Sequence, residues 1–143
     1  MSGEKVLLVD DEEEFVETLA KRMNARGLKV ETAENGEVAI DRVKEKAFDV
    51  IVLDLAMPGI DGLETLKRVL EVNSDLQVIL LTGHGTVSKG VEAMKLGAAD
   101  FLEKPADFKE LLAKVQEASQ KKAILIEKRT EEHVSDILKN RGW

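Results

Sequence analysis

The fifteen residues F-D-V-I-V-L-D-L-A-M-P-G-I-D-G, Phe48 to Gly62, decide the fold. Val50, Ile51, Val52 and Leu53 make an unbroken, β-branched-rich apolar run, which suits a central strand of a parallel sheet covered on both faces. The run ends in Asp54, and Pro58, Gly59, Asp61 and Gly62 then mark a turn. A carboxylate at the C-terminal edge of a buried parallel strand stands where open α/β sheets bind their ligands.

Working outward, the same pattern repeats. Lys5 to Val9 (K-V-L-L-V) is a second apolar strand that ends in acid, Asp10 and Asp11 followed by Glu12, Glu13 and Glu14. Phe15, Val16, Leu19 and Met23 then recur at helical spacing, with Gly27 as the stop. The acids thus open a helix, at the positive end of its dipole. Leu28 to Ala33 reads as a strand, Asn35-Gly36 as a turn, and Val38, Ala39, Val43 and Ala47 as one helical face. Beyond the central strand, Leu63, Leu66 and Leu70 trace a third helix ending near Asn73. Val78 to Leu81 is a fourth strand, running into Thr82-Gly83-His84-Gly85. Val87, Val91 and Met94 trace a fourth helix stopped by Gly97, Asp100 to Glu103 is a short fifth strand before Lys104-Pro105, and a fifth helix starts near Ala106 with Leu111, Leu112 and Val115.

Five strands alternating with five helices predict a parallel sheet with helices on both faces and right-handed crossovers. The spacing admits the flavodoxin-like order 2-1-3-4-5 without fixing it.

Composition narrows the classes. A chain of 143 residues fits one domain with a proper core, and at 3% aromatic residues that core must be aliphatic. No run reaches the roughly 18 apolar residues of a membrane span, and no basic-plus-apolar leader opens the chain, so a cytoplasmic location is expected. The absence of cysteine rules out a disulfide framework and a thiolate metal site. A net charge of −7 argues against non-specific nucleic-acid binding. Residues 119–143 carry six Lys/Arg and four Asp/Glu, which leaves −9 on the first 118 residues.

In such a sheet the C-terminal strand ends share one edge, which gathers Asp10 and Asp11, Asp54, Thr82 and Lys104. Three carboxylates brought together repel unless something neutralises them. A hard divalent cation with oxygen ligands does so, which points to Mg²⁺. An ammonium and a hydroxyl suit the oxygens of a phosphoryl group, and a carboxylate nucleophile then gives an aspartyl phosphate. Asp54, central in the sheet, is the natural nucleophile, with Asp10 and Asp11 holding the metal. Singly, each residue reads as a helix-start acid, a turn residue or a surface lysine; the set at the ends of four strands does not.

The motifs V-D-D, D-L-A-M-P-G-I-D-G, L-T-G-H-G and D-F-L-E-K-P resemble the receiver domain of two-component response regulators, over Lys5 to about Ser119. The resemblance implies a flavodoxin-like (βα)5 fold and phosphotransfer from the phosphohistidine of a sensor histidine kinase, or a phosphotransfer protein, to Asp54. It implies Mg²⁺ on Asp11, Asp54 and the backbone carbonyl of Ala56, with Asp10 assisting. Thr82 and Lys104 contact the phosphoryl group, the Lys104-Pro105 bond is usually cis in the family, and Phe101 partners Thr82 in the switch. The family often has Tyr where Phe101 stands, so the outward rotamer has less to hold it in solvent. Ala56 offers no side chain to position or block water, and His84 reads as a loop residue, which leaves the phosphoryl lifetime open. Output is expected through the face of the fourth helix, fifth strand and fifth helix, by protein contacts and without direct binding to nucleic acid or membrane.

Residues 4–119 are therefore expected to form the receiver and residues 120–143 a helical tail or linker without its own core. Ala123 to Ile126, Val134, Ile137 and Leu138 fit a helix, plausible as a continuation of the fifth, but not a regular heptad. A dimerising or partner-docking role and a plain surface helix suit it equally, and His133 reads as an exposed helix residue. The reading is a stand-alone signalling receiver that promotes its own phosphorylation and dephosphorylation rather than an enzyme. One alternative is the receiver of a longer transcriptional regulator, since L-T-G-H-G and D-F-L-E-K-P look like receivers that precede an ATPase and a DNA-binding output. The other is an aspartate-nucleophile phosphatase, which Ala56 disfavours because those enzymes carry a second Asp there. A flavodoxin is disfavoured by D-D-E-E-E after the first strand, where a phosphate-cradling loop would be needed.

Overall fold

A computed structural model describes residues 3–55, 62–83 and 87–140. Five strands, β1 (Lys5–Val9), β2 (Lys29–Ala33), β3 (Val50–Asp54), β4 (Gln77–Thr82) and β5 (Asp100–Glu103), pair in parallel in the order 2-1-3-4-5. Helices α1 (Glu13–Ala25), α2 (Gly36–Glu45), α3 (Gly62–Val72), α4 (Val87–Leu96) and α5 (Phe108–Asn140) alternate with them. This is the flavodoxin-like arrangement that the spacing admitted.

The apolar strand runs are buried on both faces, and alternation splits them. Leu7, Val9, Ile51, Leu53, Val78 and Leu80 face α2, α3 and α4, meeting Ala39, Ile40, Val43, Leu66, Val69 and Ala93. Val6, Leu8, Val50, Val52, Ile79 and Leu81 face α1 and α5, meeting Val16, Leu19, Met23, Leu111, Leu112 and Val115. Successive strand residues point to opposite faces, so one run feeds two cores.

Local chemistry explains the element ends. Asn35, expected in a turn, caps α2 by accepting from the Val38 N–H at 2.8 Å. Gly27 and Gly97 stop α1 and α4 with φ of 90° and 113°, a region that side chains rarely adopt.

Two expected helical faces are corrected. On α4, Val91 and Met94 are 49% and 39% exposed, whereas Gly90 and Ala93 are buried. Small residues let that helix lie close on the sheet, which turns the larger side chains outward; the side chain of Val87 lies outside the described residues. Ala47 falls beyond the end of α2 and is exposed.

The fifth helix continues unbroken through the expected seam at 119–120, to Asn140. Lys122 is 9% exposed and donates to the Phe48 carbonyl at 2.9 Å and Asp49 Oδ1 at 3.2 Å, just ahead of β3. Arg129, two turns on, forms a two-pronged pair with Asp75 before β4, at 2.7 and 2.5 Å. The extension is thereby tied across the N-terminal edge of the sheet, opposite the strand ends that carry the acids. Past Arg129, Val134, Ile137 and Leu138 are exposed.

Candidate functional site at the C-terminal sheet edge

Asp10 follows β1, Asp54 closes β3, Thr82 closes β4 and Lys104 follows β5. The register aligns Val9 with Leu53, Asp54 with Leu81 and Thr82 with Glu103, so sheet pairing alone brings these four positions together. Asp10, Asp54 and Thr82 are 4%, 3% and 1% exposed, which is costly for two carboxylates unless they are paired.

Lys104 supplies the pairing. Its Nζ donates to Asp10 Oδ2 and to Asp54 Oδ2, both at 3.1 Å, and stands 3.7 Å from Glu12 Oε1. The other Asp10 oxygen accepts from the Glu12 N–H at 3.0 Å, which fixes the turn into α1. Burial alone would push the Lys104 ammonium down, but the hydrogen bonds it donates to Asp10 and Asp54 and their charges outweigh it, so it is held above its ordinary value of 10.5. With a raised pKa its stabilising effect is complete below that value and fades only as the pH climbs above it, so the lysine is charged throughout the neutral range. The Lys104–Pro105 bond is cis.

Three carboxylates converge: one oxygen each from Asp10, Glu12 and Asp54 lie within 4.8 Å of one another. The donor set is all oxygen, which fits a hard divalent ion. Asp11 is exposed and is not in this group; it lines a neighbouring pocket with Glu13, Glu17 and Glu34. Adjacent residues leaving a strand point apart, so the register that buries Asp10 turns Asp11 outward, while Glu12 comes back toward Lys104. Sequence reading took Glu12 only as a helix-start acid, and its position two beyond Asp10 was the available signal. Ala56 and His84 lie outside the described residues.

Sequence reading also missed Phe15, placed on a helix face. Its ring centroid lies 4.9 Å from Lys104 Nζ. Thr82 Oγ1 donates to the Leu102 carbonyl at 3.4 Å. Phe101 is half-buried, and its N–H donates to Asp100 Oδ1 at 2.8 Å. A Cβ on Gly90 would stand 3.6 Å from Thr82 Cγ2 and 3.8 Å from the Phe101 ring, so these three residues share one small space.

The profile of the response regulator receiver domain matches residues 6–116. The C4-dicarboxylate transport transcriptional regulatory protein DctD of Pseudomonas aeruginosa is 42% identical over 127 residues, 88% of this chain and 27% of that protein. The transcriptional regulatory protein ZraR of Klebsiella oxytoca is 40% identical over 82% of this chain and 27% of its own length. The chain thus spans about a quarter of the length of these curated relatives. Among solved structures, a response regulator receiver domain protein from Clostridium thermocellum superposes with a TM-score of 0.82 at 29% identity, over 85% of this chain and 98% of that one. NtrX from Brucella abortus in complex with ADP superposes with a TM-score of 0.80 at 27% identity, over 94% of this chain and 30% of that one. Among the described residues no helix is long and apolar enough to cross a membrane. With a family profile over more than two thirds of its length, close relatives among transcriptional regulators and the same fold in solved receivers, the chain belongs to the response regulator receiver domain family, the receivers of two-component systems.

Proposed function

We propose that Asp54 is the phosphoacceptor and that the donor is the phosphohistidine of a sensor histidine kinase or phosphotransfer protein in the cytoplasm. The observation that carries this reading is the buried Asp10–Lys104–Asp54 bridge, with both contacts at 3.1 Å. An oxygen of Asp54 attacks phosphorus, the P–N bond breaks, and the imidazole leaves with the electron pair. Lys104, already at Asp54, holds a transferred oxygen, and the Thr82 hydroxyl turns from the Leu102 carbonyl to another. Asp10, Glu12 and Asp54 would hold Mg²⁺, with Asp11 and the Ala56 carbonyl as the ligands that the family resemblance adds. The ion, when bound, offsets the charge that accumulates on the transferred group. A phosphoryl group adds about −1.5 to −2 charge and three acceptor oxygens, which draw Thr82 inward and free Phe101 to follow. Water attack on the same aspartyl phosphate would reset the switch.

Incubation with acetyl phosphate and Mg²⁺ followed by intact mass tests the reading. One added phosphoryl group on the wild type and none on Asp54→Asn is expected; equal labelling of both would overturn it.

The second reading, a receiver within a longer transcriptional regulator, is favoured by the share of DctD and ZraR that the chain spans and by the α5 extension, which would connect the receiver body of residues 4–119 to an output module. Homodimers of the phosphorylated form would use the α4–β5–α5 face or residues 120–143. Size exclusion with beryllofluoride tests that, and an unchanged elution volume would count against it.

A further inference from the structure

We propose that Phe15 is a positioning residue for Lys104, its ring closing the open side of the ammonium so that the lysine stays aimed at Asp54. This rests on the phosphoacceptor reading above and adds a residue to that site.

Lys104 has a flexible four-carbon stem and three N–H groups. Two of them are used by Asp10 and Asp54 at 3.1 Å. The exposed Glu12 carboxylate, at 3.7 Å, offers a competing partner nearer to solvent. Among the described residues the Phe15 ring also borders the ammonium, at 4.9 Å, within the reach of a cation–π contact. Phe15 stands in the first turn of α1 and is itself seated against the buried cluster shared by α1 and α5. Its ring is therefore held by packing as well as by the helix. The lysine side chain is only 22% exposed, and such contacts strengthen as water is withdrawn. Because the ring faces the lysine ammonium, its effect falls on the aim of Lys104, and an effect on the metal ligands would show separately as a changed Mg²⁺ requirement.

The test compares Phe15→Leu, which keeps apolar bulk and removes the ring, with Phe15→Trp and Phe15→Tyr, which keep a ring. In the metal-free protein, NMR of the Lys104 ε-methylene protons should show an upfield ring-current displacement in the wild type and in the Trp and Tyr variants, lost in the Leu variant. With acetyl phosphate at saturating Mg²⁺, phosphorylation of the Leu variant should be about threefold to tenfold slower, the range that a partly desolvated cation–π contact supports. The Trp or Tyr variant should stay within about twofold of wild type, and the Mg²⁺ level for half-maximal rate should not rise in any of them. A Leu variant as fast as wild type overturns the inference, and so do ring-bearing variants slowed as much as Leu, which would mark a packing role. A wild-type protein that takes up no phosphoryl group overturns the phosphoacceptor reading and this inference with it.

Discussion

Gly62 opens α3 so close to Leu55 that a Cβ on it would stand 2.6 Å from the Leu55 Cα and 3.1 Å from the Asp54 carbonyl oxygen. The glycine that reads in sequence as part of a turn is therefore a packing requirement directly behind the central aspartate. Gly62→Ala gains up to about 1 kcal/mol of helix propensity, but the obstacle is backbone, which cannot swing aside. The clash wins, and a net loss of about 1–3 kcal/mol in urea unfolding is expected. Unchanged stability would show that β3 and α3 are not held this tightly.

Lys104 is the cation between two buried carboxylates, so Lys104→Met leaves Asp10 and Asp54 without it. Removing one partner of a buried ion pair costs about 3–5 kcal/mol. A divalent ion bound to the same acids recovers about 2.7 kcal/mol at a hundredfold excess over its Kd. Thermal melts should show Mg²⁺ stabilising the methionine variant more than wild type. An equal or smaller effect would separate the metal from these carboxylates.

Gly90 leaves room beside Thr82 and Phe101, and contacts of 3.6 and 3.8 Å from an added methyl are ordinary. Gly90→Ala should stabilise α4 by up to about 1 kcal/mol while narrowing the space into which Phe101 would turn. The expected outcome is a higher melting temperature with a smaller beryllofluoride-induced change in the Phe101 ring resonances. A full-sized change would place the switch elsewhere.

Lys122 is buried in the expected tail yet bonded to Phe48 and Asp49. Lys122→Met keeps the stem and removes the donor, leaving the Phe48 carbonyl without it at a cost of about 1–3 kcal/mol. Hydrogen exchange over residues 122–138 should quicken in this variant. Unaltered exchange would mean that the extension is held by its own helical bonds.

Asp75 is held below the ordinary carboxylate value, first by the hydrogen bond from Arg129, against an opposing effect of burial. A depressed pKa contributes stability that is complete above the unfolded value of about 3.9 and is lost as the pH falls through the folded value. Asp75→Asn should therefore lower the melting temperature at pH 7, and the gap to wild type should narrow as the pH falls below the unfolded value of about 3.9. A gap that does not narrow there would show that the Arg129 pair is not its cause.

Local pattern carried most of the fold. The runs in β1, β3 and β4 are apolar without interruption and lead into a polar residue, β2 (K-V-E-T-A) and β5 (D-F-L-E) are mixed, and α1 to α4 stop at glycine or a polar turn, so element order and the edge holding Asp10, Asp54, Thr82 and Lys104 follow from neighbours in the chain. What periodicity alone did not say is which acid of D-D-E-E-E is buried, because adjacent carboxylates look alike until a register buries one of them.

The chain by itself determined that β and α alternate five times and that acid, hydroxyl and ammonium stand at strand ends, since hydrophobic periodicity is a property of a few consecutive residues. Only the tertiary structure decided that Asp10 and Glu12 stand beside Asp54 while Asp11 is exposed, that Phe15 meets Lys104, and that α4 turns Gly90 and Ala93 inward. Strands buried on both faces carry no mark of which helix covers which side, and a bridge between residues 50 and 94 positions apart exists only once the strand order 2-1-3-4-5 has set their distance.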